Sequence, residues 1–134
     1  MQQLNTFTQS FKPASYSERI SRLQELKHIV ETHEADIVTA INKDLNRSNY
    51  ETLMAEVYPF YKEIHYFLKH LKGLMKPQRK KGHIATFGAK NYVECRPYGI
   101  VAVISPWNYP FQLGLLPIVG AIAAGNKVIL KPSE

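Results

Sequence analysis

The sequence predicts an α/β fold, in which N-terminal helices precede the first βαβ unit of a parallel sheet that is truncated before completion. Three observations predict it. Apolar residues recur at helical spacing from Ile20 to Leu71. The run Ile100-Val101-Ala102-Val103-Ile104 is uninterrupted and mostly β-branched, the pattern of a strand buried on both faces. That pattern returns at Val128-Ile129-Leu130 after one helix-forming stretch. With 134 residues, 45% hydrophobic and 21% charged, the chain has the composition of a globular domain and none of the marks of disorder.

The first helix opens at Ser15-Tyr16-Ser17-Glu18, a capping-box pattern just after Pro13, and carries Ile20, Leu23, Leu26 and Val30 on one face. Ile37, Val38, Ile41 and Leu45 suggest a second, shorter helix. A third begins at another box, Ser48-Asn49-Tyr50-Glu51. Leu53, Val57, Phe60, Ile64, Phe67, Leu68 and Leu71 line it, Pro59 is placed to kink it, and Gly73 and Pro77 end it. Lys76 to Gly82 reads as a charged connection. Asn91 to Arg96 alternates like a half-exposed strand.

Pro97-Tyr98-Gly99 then leads into the strand 100–104, which Pro106 stops. Phe111 to Ala124 is rich in helix formers, with Pro117 expected to start its main segment. Gly125 and Asn126 close it before the second buried strand. Strand, helix and strand make one right-handed βαβ unit. Two parallel strands alone cannot cover their own faces, so the sequence reads as truncated. Three segments result: helical over 1–82, strand or hairpin over 83–97, and an incomplete sheet domain over 98–134.

The formal charge of +6 is unevenly spread. Acids outnumber bases up to residue 61; from Lys62 to Arg96 only Glu63 and Glu94 oppose a run of lysines and arginines. Lys69, Lys72, Lys76, Arg79, Lys80 and Lys81 lack the interleaved aromatics of a nucleic-acid module, so a solvated loop or a match to an acidic partner subunit is expected and nucleic acid is not. The single cysteine, Cys95, excludes an internal disulfide, and neither it nor the scattered histidines form a metal site. Met1 to Lys12 is polar, and no apolar run reaches the roughly 18–20 residues of a membrane span. A cytoplasmic chain without a transmembrane segment is expected.

Ligands of open α/β sheets bind beyond the carboxyl ends of the strands. There the first strand runs into Ser105-Pro106-Trp107-Asn108-Tyr109-Pro110 and the second into Lys131-Pro132-Ser133-Glu134. Asn108, between two prolines that stiffen its backbone, offers amide donors suited to a developing oxyanion; the same amide would equally satisfy turn backbone. Lys131 and Glu134 form a donor–acceptor pair able to grip a ribose diol, or else a surface ion pair of little energetic weight. An acid at a ribose also disfavours a 2′-phosphate.

Taken together, Gly99-Ile-Val-Ala-Val-Ile-Ser-Pro-Trp-Asn-Tyr-Pro-Phe111 followed by Gly120-Ala-Ile-Ala-Ala-Gly-Asn-Lys-Val-Ile-Leu-Lys-Pro-Ser-Glu134 closely resembles the aldehyde dehydrogenase superfamily, and Tyr92 to Pro97 and the preceding helices fit its N-terminal portion. The resemblance covers about the first quarter to third of a full-length member. The Pro-Trp-Asn-Tyr-Pro form looks most like the branch handling fatty and aromatic aldehydes.

The resemblance implies an enzyme that oxidises aldehydes to carboxylates through a cysteine thiohemiacetal, using NAD, with NADP the alternative cofactor. The sheet would be the start of a dinucleotide-binding domain. Asn108 matches the oxyanion-stabilising asparagine. Lys131 and Glu134 match residues that hold the adenosine ribose, with Ser133 in the same cofactor-binding segment. Ile104, Ser105, Pro106 and Trp107 match the wall and backbone contacts around the cofactor. No Gly-x-Gly-x-x-Gly follows the first strand, consistent with a family that binds NAD without that fingerprint. The partners implied are an aldehyde substrate and, at full length, further copies of the chain.

The family's nucleophilic cysteine and general-base glutamate lie beyond residue 134, so this chain alone is expected to be inactive. Cys95, on a predicted strand with no histidine beside it, is expected to be structural. The rival readings are a related acyl-group reductase, a non-catalytic fragment that pairs with another chain, and a basic binding module.

Overall fold

The structure, a computed structural model, describes residues 11–134; the polar stretch Met1 to Lys12 falls largely outside them. Helix α1 spans Tyr16–Leu45 and opens on a complete capping box. Ser15 Oγ accepts from the Glu18 N–H, and the Glu18 carboxylate accepts from the Ser15 N–H at 2.7 Å. These bonds hold the Glu18 carboxyl below its ordinary pKa.

The two helices expected over 15–45 are one. The polar stretch around Glu31 to Asp36 interrupts the apolar stripe, yet it holds no glycine or proline, and a helix propagates through polar residues at little cost. Asn46 then terminates α1 in the left-handed region, at φ 51°, which asparagine tolerates.

A continuous helical segment follows: α2 (Asn49–Thr52), a π-helical turn (Leu53–Val57) and α3 (Tyr58–Leu74). The expected break at Pro59 takes another form. Pro59 occupies the first turn of α3, where its missing N–H matters least, and the irregularity is the π turn just before it.

The expected charged connection from Lys76 contains a strand. β1 (Gln78–Lys80) pairs antiparallel with β2 (Asn91–Val93), Arg79 facing Tyr92. β2 is shorter than the alternation over 91–96 suggested, and Cys95 lies beyond it, exposed.

β3 (Ile100–Ile104) and β4 (Lys127–Lys131) pair parallel, in register from Ile100 opposite Lys127 to Ile104 opposite Lys131. Between them α4 runs Pro110–Ala123, with Pro110 at its start and Pro117 inside it, so Pro117 does not begin the helix. Leu23 and Val30 of α1, Phe60, Ile64 and Leu71 of α3, and Val119 and Ala123 of α4 form the buried core. The helices therefore pack on one another and α4 covers one face of the sheet. β3 was expected to be buried on both faces; only Val103 in it is buried, because neither strand has a second neighbour and the other face is uncovered. Among the described residues no helix is long and apolar enough to cross a membrane.

Candidate functional site

The parallel register carries both predicted segments to one edge. Ile104 and Lys131 are cross-strand partners, and the Ser105 N–H donates to the Lys131 carbonyl at 3.0 Å, so residues 105–108 and 132–134 leave the sheet side by side at its carboxyl end. Lys131 Nζ lies 3.4 Å from Glu134 Oε1, both side chains well exposed and open to a ligand.

Of residues 104–107, Ile104 (77% exposed), Pro106 and Trp107 (69%) face outward. Ser105 is turned in: it is 5% exposed and its hydroxyl donates to the Pro110 carbonyl at 3.0 Å. Helix α4 comes so close there that a Cβ on Gly114 would lie 3.2 Å from Ser105 Oγ. The Ser105 side chain thus fixes the turn, while its exposed neighbours form an apolar wall. An exposed donor–acceptor pair beside an exposed aromatic and aliphatic wall fits a nucleoside, which offers a diol and a flat base.

Asn108 is exposed, and its side-chain amide forms no hydrogen bond among the described residues. Its backbone is held by groups that periodicity could not reveal. The Asn108 carbonyl accepts from Arg47 Nη2 at 2.7 Å. The other arm of that guanidinium, Nη1, donates to Glu56 Oε1 at 2.9 Å, and its carbon lies 4.4 Å from the centre of the Tyr109 ring.

Glu56, from the π turn, is fully buried; its Oε2 accepts from the Phe111 and Gln112 N–H groups at 3.1 and 2.8 Å. Those are among the first free N–H groups of α4, whose own N-cap residue, Tyr109, supplies no capping bond. In a glycine-rich dinucleotide fold this helix start would cradle a diphosphate. Here a carboxylate takes those N–H groups, so this helix start offers no such cradle.

A cleft of about 770 Å³ lies at the other end of the molecule. Cys95, Arg96, Pro97 and Ala123 line it, residues that precede β3 or end α4, and so stand at the amino edge of the sheet. Neither Asn108 nor Lys131 reaches it.

Residues 4–134 match the family model described as the aldehyde dehydrogenase family. The chain is 43% identical over 119 residues to aldehyde dehydrogenase family 3 member H1 of Arabidopsis thaliana, covering 89% of this chain and 25% of that protein. It is 36% identical to family 3 member B1 of Rattus norvegicus, covering all of this chain and 29% of that one. The solved structure described as the substrate-bound state of Staphylococcus aureus AldH superposes with a TM-score of 0.83 at 38% identity, covering 99% of this chain and 28% of that one. The chain thus spans between a quarter and a third of the length of these relatives. An in-register parallel pair with both polar segments at its carboxyl edge, matched along nearly its whole length, places this chain in the aldehyde dehydrogenase family.

Proposed function

We propose that this chain forms the oxyanion-binding and nucleotide-rim portion of an NAD(P)-dependent enzyme that oxidises aldehydes to carboxylates. The observation that carries the reading is the shared carboxyl edge, where the Asn108 segment and the Lys131–Glu134 pair emerge from adjacent strands.

Lys131 and Glu134 would hold a ribose by donating to one hydroxyl and accepting from the other, with Ser133 beside them and Ile104, Pro106 and Trp107 as the apolar wall. When bound, the nicotinamide dinucleotide supplies a hydride acceptor. Asn108 donates its side-chain N–H to the oxygen that becomes negative when a thiolate adds to the aldehyde carbon, and so lowers that barrier. The thiolate and the base that activates water come from other parts of family-length proteins. This chain by itself therefore has no turnover.

Fatty or aromatic aldehydes suit the reading, since the relatives include several family 3 members and a Staphylococcus aureus 4,4'-diaponeurosporen-aldehyde dehydrogenase at 39% identity. A cytoplasmic setting and self-association at full length belong to the same reading.

The test is Asn108→Ala in a family-length protein carrying this segment. The expected result is a fall in kcat of about 10²–10³, typical of one lost oxyanion donor, with little change in dinucleotide affinity. An unchanged kcat removes Asn108 from the chemistry.

A further inference from the structure

We infer that Arg47 and Glu56 are positioning residues that hold Asn108 in its working orientation; this rests on the oxyanion role proposed for Asn108. The amide of Asn108 has no hydrogen bond of its own among the described residues, so its direction follows from the backbone that carries it. That backbone is gripped from outside the turn, at three places, by two side chains. Arg47 holds the carbonyl of residue 108 at 2.7 Å, while Glu56 holds the N–H groups of residues 111 and 112 at 3.1 and 2.8 Å. The Tyr109 ring stacks against the same guanidinium.

The two grips are one device, because Arg47 and Glu56 are bonded to each other at 2.9 Å. Helix capping alone would require only the carboxylate. The second guanidinium arm, directed at the carbonyl of Asn108, adds nothing to the cap and fixes the backbone of a residue whose own amide is left free. Only a planar fork with two parallel arms spans both acceptors; an ammonium is a single point. Glu56 comes from the π turn, an irregularity that recurs where a side chain must be placed for function. It is fully buried, so its position is set by packing.

A double-mutant cycle on a family-length protein carrying this segment tests the inference, with kcat read at saturating dinucleotide and aldehyde. Arg47→Met is expected to lower kcat by roughly 10–100-fold, the scale of a misplacement of about 1 Å, with the dinucleotide KM nearly unchanged. In the Asn108→Ala background the same substitution is expected to lower kcat by no more than about twofold, because residues acting as a unit are not additive. Added guanidinium ion is expected to restore part of the kcat of Arg47→Met and none of that of the double variant.

Losses that multiply, or an Arg47→Met enzyme with wild-type kcat, overturn the inference. Should Arg47→Met not fold, Arg47→Lys takes its place in the cycle, since it keeps a charge against Glu56 and loses the second arm; multiplying losses there overturn it equally. An Asn108→Ala enzyme with unchanged kcat overturns the oxyanion reading itself, and this inference with it, before any Arg47 variant is made.

Discussion

Arg19 and Arg47 join elements from different parts of the chain at opposite edges of the same sheet. Arg19 is 8% exposed; its Nε donates to the Ala14 carbonyl at 2.8 Å and its Nη1 to the Ala123 carbonyl at 3.1 Å, a cation against the carbonyl end of α4. Burial lowers its pKa from the ordinary arginine value. Gly125 makes room for it: its φ is +91°, and a Cβ there would come within 2.5 Å of the Arg19 guanidinium. Gly125→Ala is therefore expected to destabilise the fold by about 2 kcal/mol or more in chemical denaturation. Gly125→Asn separates the causes, since asparagine accepts a positive φ and still carries a Cβ. Recovery of full stability with Asn would mean that backbone conformation alone governs the site. At the carboxyl edge of a family-length protein, Glu134→Gln is expected to raise the NADP/NAD preference by about tenfold, because an acid at the ribose repels a 2′-phosphate; an unmoved ratio in paired kinetics would take Glu134 off the ribose. The placement of Asn108, Lys131 and Glu134 at one sheet edge was legible in the sequence because it is local, at the ends of two readable strands. Arg47 and Glu56 were not. Arg47 meets Asn108 across 61 residues, Glu56 meets Phe111 across 55, and neither lies in a motif.

Periodicity located the helices and the two parallel strands but mistook joints within them. The polar stretch that looked like a gap in α1 carries bonds of its own: the Thr32 hydroxyl donates to the His28 carbonyl, and Glu34 accepts from the Tyr61 hydroxyl of α3 at 2.7 Å. What read as the break between two helices is thus a polar seam between α1 and α3. Strand β1 was missed because all three of its residues are exposed, leaving no alternation to read. The seam sets a pH dependence. Burial, and then the neighbouring Glu34, raise the Tyr61 pKa far above its ordinary value, since both disfavour tyrosinate. A group whose pKa is raised by folding contributes stability that is full below the unfolded value of about 10 and is lost as pH rises toward the folded value. Stability is therefore expected to fall above about pH 10, and less steeply in Tyr61→Phe. That variant retains the edge-to-face packing on Phe60 and forfeits about 1 kcal/mol near neutrality. Tyrosinate absorbance followed against pH checks it: one phenol must titrate only with unfolding.

At the scale of the whole molecule, Cys95 and Asn108 stand at opposite ends of the sheet, and under the proposed oxyanion role this decides which thiol can take part in chemistry. A nucleophile must come within about 3–3.5 Å of the carbon whose oxygen Asn108 would hold, so it must reach the carboxyl edge. Cys95, the single cysteine of the chain, lies between β2 and β3 beside the amino-edge cleft, exposed. It was expected on a strand as a structural cysteine; it stands instead past the strand's end, where it is neither packed in the core nor near Asn108. The sheet also leaves Ile104 and Ile129 exposed on its free face, as a parallel pair without neighbours must. Two outcomes follow together. In a family-length enzyme, Cys95→Ser is expected to keep kcat within about twofold, as substitutions at exposed sites generally do. The purified 134-residue chain, with its thiol intact, is expected to oxidise no aldehyde even with abundant dinucleotide, because the thiol and the oxyanion donor occupy opposite edges. Alkylating Cys95 in the Cys95-containing enzyme gives the sharper measurement. Because the nucleophilic thiol elsewhere in the enzyme reacts as well, inactivation at the same rate with and without Cys95 agrees with the division of edges; inactivation in step with modification at residue 95, verified by mass, and spared in Cys95→Ser under the same reagent, would place this thiol at the reacting carbon.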